Sequence, residues 1–464
     1  MFEISNLKSG IMKDTIVALA TPLGRSGIGV IRLSGENSLG ITRKLIRDEN
    51  FNPKPRFSTL KKVYDIENGE IIDEVIITYF KSPQSFTGED VIEISCHGLP
   101  VLLRQVIDFC LKLDARMAKP GEFSLRALAN GRMNLSQAEA IRDLIDANTI
   151  ASARQSIRQL RGELSNELQP LKDDLLNVIV ILESALEFVE DDLPDFQTDS
   201  IKSKLSNIAE KAEKMASTFQ AGKLIREGLK VALVGRPNVG KSSLFNALLG
   251  QERAIVTDIP GTTRDQIHEK FTINNIPISL IDTAGLRETK DTVESIGVER
   301  SKRLMADADM VIVLLDSSQN LTVEDFEILE SSNELNHIIA INKIDLNGQG
   351  KIKSQIPDPK SQIVEVSAKT GEGLENLQNA IIEPFNPIEI EKDGFLVSDA
   401  RHYDLLLRTK IEIENSLTLF ENKVSEEIVL IGLHNAMRYL GEITGEVTTE
   451  DILTRIFSTF CIGK

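Results

Sequence analysis

The sequence predicts a multidomain protein with three parts: an N-terminal α+β domain, an α-helical domain split into two segments, and an α/β domain inserted between those segments. The 464 residues are enough for about three domains. The pattern of apolar residues changes from short strand-like runs to helical spacing, then to alternating strands and helices, and finally back to helical spacing. The predicted boundaries are 1–131 for the first domain, 132–226 with 385–464 for the helical domain, and 227–384 for the inserted domain.

The first domain combines strands with a helix. Four short runs rich in Val and Ile are typical of strands, namely TIVALAT, IGVIRLSG, EVIITYF and DVIEISCHG. The stretch PVLLRQVIDFCLKL has helical spacing. This mixture predicts a small α+β domain.

The second region has the spacing of amphipathic helices. Ser136 and Glu139 fit a capping box, which predicts that a helix starts there. Pro170 and the acidic stretch at 187–195 are expected to interrupt the helical run. Two amphipathic stretches within 400–444 are expected to pack against these helices, because they are too short to form a core of their own.

The inserted domain alternates strands and helices. Its strand-like runs are LKVALVG, IPISLIDTAG, DMVIVLLD, NHIIAINKID and QIVEVSAK. This alternation predicts a parallel sheet with helices packed on it. Because such sheets bind ligands at the carboxyl ends of their strands, the motifs that follow these runs are candidate binding residues.

The first of these motifs, GRPNVGKS at 235–242, matches the pattern of a phosphate-binding loop. It follows a strand and opens a helix, so its backbone N–H groups are expected to point at phosphate oxygens. Lys241 is expected to reach the β- and γ-phosphates, and the Ser242 hydroxyl to bind Mg²⁺. The candidate residues here are Asn238, Val239, Gly240, Lys241, Ser242 and Ser243.

Three later motifs indicate which nucleotide is bound. DTAG, NKID and SAK each end a strand-like run. The carboxylate of Asp345 can accept hydrogen bonds from both the ring N–H and the amino group of guanine, a pair that adenine lacks. The candidate residues are Asp282, Thr283, Ala284, Gly285, Asn342, Lys343, Ile344, Asp345, Ser367, Ala368 and Lys369. In this order, the four motifs resemble those of the Ras-like GTPase superfamily.

The segment TDIPGTTRD, which starts at Thr257, resembles the first switch of TrmE–Era–EngA-type bacterial GTPases. The resemblance implies that Thr263 ligates Mg²⁺, and that Asn238 and the backbone of this loop bind K⁺. A K⁺ ion there would add positive charge beside the transferred phosphoryl group, as an arginine finger does elsewhere. The candidate residues are Thr257, Asp258, Ile259, Pro260, Gly261, Thr262 and Thr263, with Thr257, Ile259 and Thr262 as the K⁺ ligands beside Asn238.

Leu286 stands where Ras-type GTPases carry a glutamine that orients the attacking water. Because an apolar side chain cannot align water, another group must do so. Glu294 and Arg287 are the candidates, and the resemblance favours Glu294.

Whereas many families share the nucleotide-binding motifs, the motifs outside the inserted domain are specific to a single family. They are TPLGRSGIGVIRLSG and FTGED near the N-terminus, HG at 97–98, KPGEF at 119–123 and FCIGK at 460–464. Together they resemble the MnmE (TrmE) family of tRNA modification GTPases along the whole chain. The resemblance implies a GTP-hydrolysing subunit that helps to add a carboxymethylaminomethyl or aminomethyl group to C5 of the wobble uridine of certain tRNAs. It also implies a partner, the FAD- and NADH-dependent flavoprotein MnmG.

The resemblance further implies homodimerisation through the N-terminal domain and K⁺-dependent association of the nucleotide domains. A tetrahydrofolate derivative (5,10-methylene or 5-formyl) would supply the one-carbon unit. Carried over residue by residue, its site would include Arg32, Glu93, Arg132 and Lys464. Relatives often have Lys where Arg132 stands, and Arg changes the donor geometry. Cys461 would be required for modification. For His97, a structural role is the expectation.

The bulk composition fits this assignment. The net charge of −17 argues against a chain that coats nucleic acid by electrostatics alone. Three cysteines, no long apolar run and no signal-peptide pattern predict a cytoplasmic protein without disulfides or a membrane span. Two alternatives remain open: a ribosome-assembly GTPase of the Era or EngA type, and a scaffold in which GTP only controls partner binding.

Overall fold

The structure is a computed structural model, and it describes residues 14–187, 195–251, 268–274, 276–282, 305, 308–346, 352–356, 361–385 and 394–463. The chain divides into two compact units. The first comprises Met1–Arg142, Arg158–Glu210 and Arg408–Lys464, and the second Asp143–Ile157 and Lys211–Leu407. The three-domain boundaries drawn from the sequence stay a prediction.

The first unit contains a six-stranded sheet with the order β3-β4-β5-β2-β1-β6. β1 and β6 are parallel, and the other neighbours are antiparallel. The four predicted strands are confirmed as β1, β2, β4 and β5, and sequence reasoning missed β3 and β6. The strands are β1 (Thr15–Leu19), β2 (Ser26–Ser34), β3 (Ser58–Tyr64), β4 (Ile71–Phe80), β5 (Val91–Gly98) and β6 (Ala115–Met117).

Side-chain alternation gives this sheet one buried face. Helices α1 (Ser38–Leu45) and α2 (Pro100–Lys112) contribute to the core on that face. The core includes Val17, Ile31, Leu33, Ile41, Leu45, Ile77, Ile92, Ile94, Val106 and Phe109. The alternating positions of β2 and β5, among them Arg32 and Glu93, point to the opposite face and are only partly buried.

Most of the described residues outside the two sheets and the helices that pack on them are also helical. These helices are α3 (Glu122–Ala129), α4 (Leu135–Asp146), α5 (Ile150–Leu160), α6 (Glu163–Glu187), α7 (Asp195–Ser217), α8 (Phe219–Glu227), α12 (Ala400–Glu421), α13 (Glu426–Thr444) and α14 (Glu450–Phe457). As predicted, a C-terminal helix packs on an earlier one: Lys172 Nζ, within α6, donates to Oγ1 of Thr444, the last residue of α13, at 2.9 Å. Within the described residues, no helix has the length and apolar content needed to span a membrane.

The predicted capping box at the start of α4 is wrong by two residues. α4 begins at Leu135, which places Ser136 and Glu139 inside the helix. Asn134 Oδ1 accepts from the Gln137 backbone N–H at 2.9 Å, and Gln137 Oε1 accepts from the Asn134 N–H at 3.0 Å. An Asn–Gln pair therefore makes the reciprocal bonds of a capping box, and Ser136 Oγ only donates to Asn134 Oδ1.

The predicted break at Pro170 is also wrong. Pro170 lies inside the 25-residue helix α6, which continues to Glu187. A proline in a helix removes one backbone hydrogen bond, which destabilises the helix locally. Leu168, Leu171 and Leu175 are almost fully buried around it, so tertiary packing holds the helix together across the proline. Most of the acidic stretch after Glu187 lies outside the described residues.

The second unit contains a sheet with the order β12-β11-β10-β7-β9-β8. Five of its strands are parallel, as predicted, and the edge strand β8, which sequence reasoning missed, is antiparallel to β9. The elements are β7 (Leu229–Val234), α9 (Lys241–Gln251), β8 (His268–Ile273), β9 (Ile276–Asp282), β10 (Met310–Asp316), α10 (Val323–Ser332), β11 (His337–Asn342), β12 (Gln362–Glu365) and α11 (Leu374–Ile382). All seven residues of β10 are buried, which is why the six before Asp316 are all apolar.

Candidate functional site

The phosphate-binding loop connects the carboxyl end of β7 to the start of α9. Its two flanking glycines approach other backbone and side-chain atoms closely. A Cβ on Gly235 would lie 2.5 Å from the Leu314 carbonyl oxygen, and a Cβ on Gly240 would lie 2.3 Å from Asn342 Nδ2. Gly240 also has a φ of +102°, a conformation that favours glycine. This loop conformation therefore requires glycine at both positions, which explains the spacing of the motif.

Lys241 folds back over the loop. Its ammonium donates to the carbonyl oxygens of Gly235 at 2.5 Å and Arg236 at 2.8 Å. This places a positive charge inside the curve of the loop, where phosphates are expected. Ser242 and Ser243 are exposed in the first turn of α9, with the backbone N–H groups of a helix N-terminus beside them. The arrangement fits an anionic, metal-bound ligand.

Asn342 joins the base-binding motifs to this loop. Its Nδ2 donates to the Val239 carbonyl at 2.9 Å, and its Oδ1 accepts from the Ala368 N–H at 3.0 Å. Asn342 is buried, so these bonds have little competition from water. The structure thus brings the GRPNVGKS, NKID and SAK motifs together around one side chain.

Lys343 adds a second link. Its φ is +67°, and its ammonium donates to the Asn238 carbonyl at 2.8 Å and to Asp316 Oδ2 at 2.7 Å. Burial raises the pKa of Asp316, but the hydrogen bonds from Lys343 and Ser318 outweigh it and hold that pKa below its usual range. Sequence reasoning missed Asp316. The sequence could have indicated this residue, because a lone acidic residue ends the apolar run of β10.

Asp345 is exposed, and its orientation is fixed by a neighbour. The Ser367 hydroxyl donates to Asp345 Oδ1 at 2.7 Å and also accepts from the Thr370 N–H at 3.2 Å. Ile344 and Ala368 are partly buried beside them, and Lys369 is exposed. The carboxylate expected to read guanine is therefore held in place before any ligand binds.

Several predicted residues lie outside the described part of the chain. They are Lys464, the switch residues 257–263, Glu294, and Thr283, Ala284 and Gly285, together with Leu286 and Arg287. For Asp282, the structure describes only the backbone at the end of β9. Their roles stay predictions.

A second cluster lies in the first unit. Arg32 on β2 is directly opposite Glu93 on β5, and its Nε and Nη2 contact Glu93 Oε1 at 2.9 and 2.8 Å. The third nitrogen, Nη1, donates to the carbonyl oxygen of Gly463 at 3.0 Å. Two predicted ligand residues and the C-terminal tail therefore meet at one place. Arg132 is exposed and packs against Gly88, whose added Cβ would lie 3.3 Å from Arg132 Cγ.

Sequence reasoning also missed an ion cluster around Arg126 in the same unit. The guanidinium of Arg126 is fully buried, and its Nη2 contacts Asp14 Oδ1 at 2.6 Å and Glu122 Oε1 at 3.0 Å. Its Nη1 contacts Glu89, which also accepts from Ser34 Oγ at the end of β2. The cluster thus fixes the FTGED segment beside the strand that carries Arg32. The four-residue spacing of Glu122 and Arg126 could have indicated an ion pair of this cluster from the sequence.

The three cysteines differ in accessibility. Cys96 and Cys110 are buried, and burial raises the pKa of each thiol to about 12. Cys461 is exposed in the tail, and its backbone carbonyl accepts from the Gly121 N–H at 3.4 Å. All three are free thiols in the structure. His97 is held by Asp73, whose Oδ1 lies 2.6 Å from His97 Nδ1, which fits the expected structural role.

Known proteins match almost the whole chain. The family model of the GTP-binding protein TrmE N-terminus matches residues 15–132, and the model of the MnmE helical domain matches residues 135–461. A tRNA modification GTPase MnmE from Aquifex aeolicus is 44% identical over 98% of this chain and 100% of its own length. One from Koribacter versatilis is 42% identical with the same coverage. The chain belongs to the MnmE family.

Membership of the MnmE family makes the chain a GTPase, in agreement with the geometry around Asn342 and Asp345. It also confirms the predicted fold class, with an N-terminal α+β domain, a helical domain and a P-loop GTPase domain. Among solved structures, the G domain of the FeoB iron transporter of T. maritima is 34% identical over 33% of this chain and 97% of that chain, with a TM-score of 0.26.

Proposed function

We propose that this MnmE-family GTPase hydrolyses GTP to drive the addition of a carboxymethylaminomethyl or aminomethyl group to C5 of the wobble uridine of certain tRNAs. The observation that carries the proposal is that one chain combines a junction of three nucleotide-binding motifs at Asn342 with an Arg32–Glu93 ion pair that also contacts a cysteine-bearing tail. The relatives' name, tRNA modification GTPase, supports tRNA as the substrate.

In the nucleotide site, Lys241 would neutralise charge on the β- and γ-phosphates, and the exposed Ser242 hydroxyl would hold Mg²⁺ with Thr263. When bound, Mg²⁺ neutralises negative charge that develops on the phosphate oxygens. Asp345 would select guanine through two hydrogen bonds. Hydrolysis needs a positioned water, and Glu294 is the proposed group for that task, with Arg287 as the alternative.

K⁺ would add positive charge at the same site. Asn238 lies at the tip of the phosphate loop, where its φ is +65°. Because its side chain is exposed, it can turn toward a cation beside the phosphates. Thr257, Ile259 and Thr262 are the other proposed ligands. GTP hydrolysis should then be faster in K⁺ than in Na⁺, and Asn238→Ala should remove that difference. Equal rates in both salts would contradict the K⁺ site.

A tetrahydrofolate derivative would bind at the Arg32–Glu93 pair. Both contacts of Arg32 use Glu93 Oε1, so Oε2 can accept hydrogen bonds from the amino and ring N–H groups of a pterin. Arg132 and Lys464 would hold negatively charged parts of the ligand. When bound, the folate supplies the one-carbon unit. Calorimetric titration with 5-formyltetrahydrofolate should show binding that Glu93→Gln weakens.

The proposed assembly is a cytoplasmic homodimer that works with the flavoprotein MnmG, whose FAD and NADH supply the redox chemistry. The N-terminal parts would hold the dimer together, and GTP with K⁺ would bring the nucleotide domains of the two protomers into contact. Reconstitution tests the whole function: purified chain, flavoprotein with FAD and NADH, tRNA, folate, GTP and an amine donor (ammonium or glycine) should yield modified uridine, and omission of GTP should abolish the product. Product that forms equally without GTP would overturn the proposal.

A further inference from the structure

The sheet of the first unit carries a basic segment that the proposed function does not use. Residues 52–62 read NPKPRFSTLKK, with four cationic side chains and no acidic one, in a chain whose net charge is −17. Two of the four are compensated, because Lys61 pairs with Asp48 at 2.8 Å and Lys62 lies opposite Glu74. The segment leads into β3, the edge strand of the sheet. A local excess of positive charge in an acidic chain indicates a surface for a negatively charged partner.

Three cations near the start of β3 are exposed. Lys54 and Arg56 precede the strand, and Lys81 follows the last residue of the neighbouring strand β4. None of these three side chains forms an ion pair with any residue that the structure describes. Asp90 lies nearby, but it is only partly exposed, and its Oδ1 accepts from the Ser82 N–H at 2.9 Å. The three charges are therefore available to an external anion.

Arg56 is held in a fixed direction. Its backbone N–H donates to the Tyr79 carbonyl at 2.7 Å, and its Nη2 donates to the Gln84 carbonyl at 3.1 Å. These contacts hold the guanidinium beside the end of β4, so Arg56 and Lys81 lie at the same corner of the sheet. A guanidinium carries several N–H donors, and those that Gln84 does not use can bind a phosphate group.

Phe57 adds an aromatic ring to this corner. The residue is 55% exposed, and Lys54 Nζ lies 4.2 Å from its ring centroid. An exposed ring between cations fits an unpaired base, which stacks on the ring while the cations bind the flanking phosphates. An acidic protein would use the cations but has no base for the ring. The combination therefore favours single-stranded RNA as the partner.

This corner belongs to the same sheet as the Arg32–Glu93 pair. β3 and β2 are three strand positions apart, a separation of about 14 Å. A stacked RNA strand covers that distance with roughly four nucleotides at about 3.4 Å each. An RNA loop that contacts the start of β3 can therefore place one of its bases near the site proposed for the one-carbon chemistry.

We propose that the β3-edge surface, formed by Lys54, Arg56, Phe57 and Lys81, binds a single-stranded loop of the tRNA substrate. The three cations bind backbone phosphates, and Phe57 stacks on an unpaired base. The inference rests on the proposed function, because tRNA is the substrate proposed there. The negative charge of the chain as a whole restricts RNA binding to local surfaces of this kind.

Binding of a fluorescently labelled, unmodified tRNA transcript to the full-length chain tests this surface. Lys54→Gln/Lys81→Gln removes two phosphate contacts, so the plot of log affinity against log salt should become shallower by about 1.4 to 1.8. Phe57→Ala should lower the affinity by roughly 5- to 100-fold and leave that slope unchanged, since stacking releases no counterions. Phe57→Tyr keeps the ring and should bind as wild type.

A matched control removes the same amount of charge elsewhere in the unit. Lys44→Gln/Arg104→Gln replaces two exposed cations of α1 and α2, the helices on the other face of the sheet. It should bind tRNA with the wild-type affinity and salt slope. An equal loss in this control would show that the affinity follows net charge alone, and would overturn the proposal.

The remaining outcomes separate this surface from the proposed function. If wild type binds tRNA and the Lys54/Lys81 and Phe57→Ala variants bind it equally well, the surface is wrong and the proposed function stands. If light scattering shows that these variants turn a dimer into monomers, the surface is a contact between copies of the chain, and the proposal is wrong. If wild type binds no tRNA, the surface also fails, whereas the proposed function is judged independently by the modified uridine that the reconstituted complex yields.

Discussion

The side chain of Asn342 hydrogen-bonds the backbone of Val239, 103 positions earlier in the chain, at 2.9 Å. Its other polar atom accepts from the Ala368 N–H at 3.0 Å. Asn342 itself is buried, and each partner belongs to a different nucleotide-binding motif. The shape of the nucleotide site therefore depends on one amide that links the phosphate loop to the loops that bind the base.

Replacing this amide should weaken nucleotide binding because the loops that it joins lose their common partner. Asn342→Ala leaves the buried Val239 carbonyl and the partly buried Ala368 N–H without their partner, which costs about 1–3 kcal/mol for a buried group. We expect the affinity for GTP to fall by roughly 10- to 100-fold, measured by titration with a fluorescent GTP analogue. Asn333→Ala, at the exposed end of α10, is the control and should bind as wild type. Unchanged affinity in Asn342→Ala would contradict the linking role.

Asp345→Asn should change which base is recognised. An amide can donate to the oxygen that xanthine carries in place of the guanine amino group, whereas it cannot accept both guanine protons. Affinity for GTP should fall by about 10- to 100-fold because hydrogen bonds to a charged group are lost. Affinity for xanthosine triphosphate should rise in the same competition assay. A variant that still prefers GTP would show that Asp345 does not read the base.

Asp399 should make the second unit sensitive to acid. Burial raises its pKa, but the charges of His402 and Arg226 outweigh burial and hold that pKa well below its usual range. Arg226 Nη1 contacts Asp399 Oδ2 at 2.8 Å, and its Nε contacts Asp143 Oδ2 at 3.0 Å. Because the folded-state pKa is depressed, this stabilisation is present above the unfolded pKa of about 4 and is lost as the pH falls below it.

The corresponding test is Asp399→Asn, followed by urea unfolding. At pH 7 we expect a loss of about 3 kcal/mol, since a buried ion cluster loses one partner. The difference from wild type should shrink as the pH drops below about 4, because Asp399 then takes up a proton in the unfolded wild-type chain while it stays charged in the folded one. Glu375→Gln, at an exposed position of α11, serves as the control. A difference that is the same at pH 7 and at pH 3 would contradict the assignment.

Cys461→Ser should show whether this chain takes part in the modification chemistry or acts only as a scaffold for its partner. The thiol is exposed and lies far along the chain from the nucleotide motifs, so GTP hydrolysis should stay at the wild-type rate. Modified uridine in tRNA should be lost. Cys110→Ser, at a buried position in the core of the first unit, is the matched control and should retain modification if the protein folds. Normal modification with Cys461→Ser would favour the scaffold alternative.

Sequence alone predicted the elements whose signals are local. The strands of both sheets that carry motifs, and α12 and α13, follow from short-range apolar periodicity. The misses came from competition between equally good local signals. Asn134 and Ser136 are both good N-caps, and the pairing of Asn134 with Gln137 decided the start of α4. The strands β3 and β8 gave weak signals because they lie at sheet edges.

Long-range contacts were not predictable from these patterns. Arg32 and Glu93 were both named as ligand residues from the family resemblance, but their direct pairing required the register of β2 and β5. Arg226 and Asp399 are 173 positions apart, and nothing in their local sequence indicates that they meet. The contact of Arg32 with Gly463 joins opposite ends of the chain, so only the fold could reveal it.

The central claim is that GTP turnover in this chain drives wobble-uridine modification. Mass spectrometry of nucleosides from total tRNA tests it most directly, in cells that carry wild type, no gene, Asp282→Ala, or the exposed-helix control Asp108→Ala. The account predicts that the C5-substituted uridine disappears without the gene and in Asp282→Ala, and persists in the control. Unchanged substituted uridine in both altered strains would contradict the tRNA function and leave ribosome assembly as the better assignment.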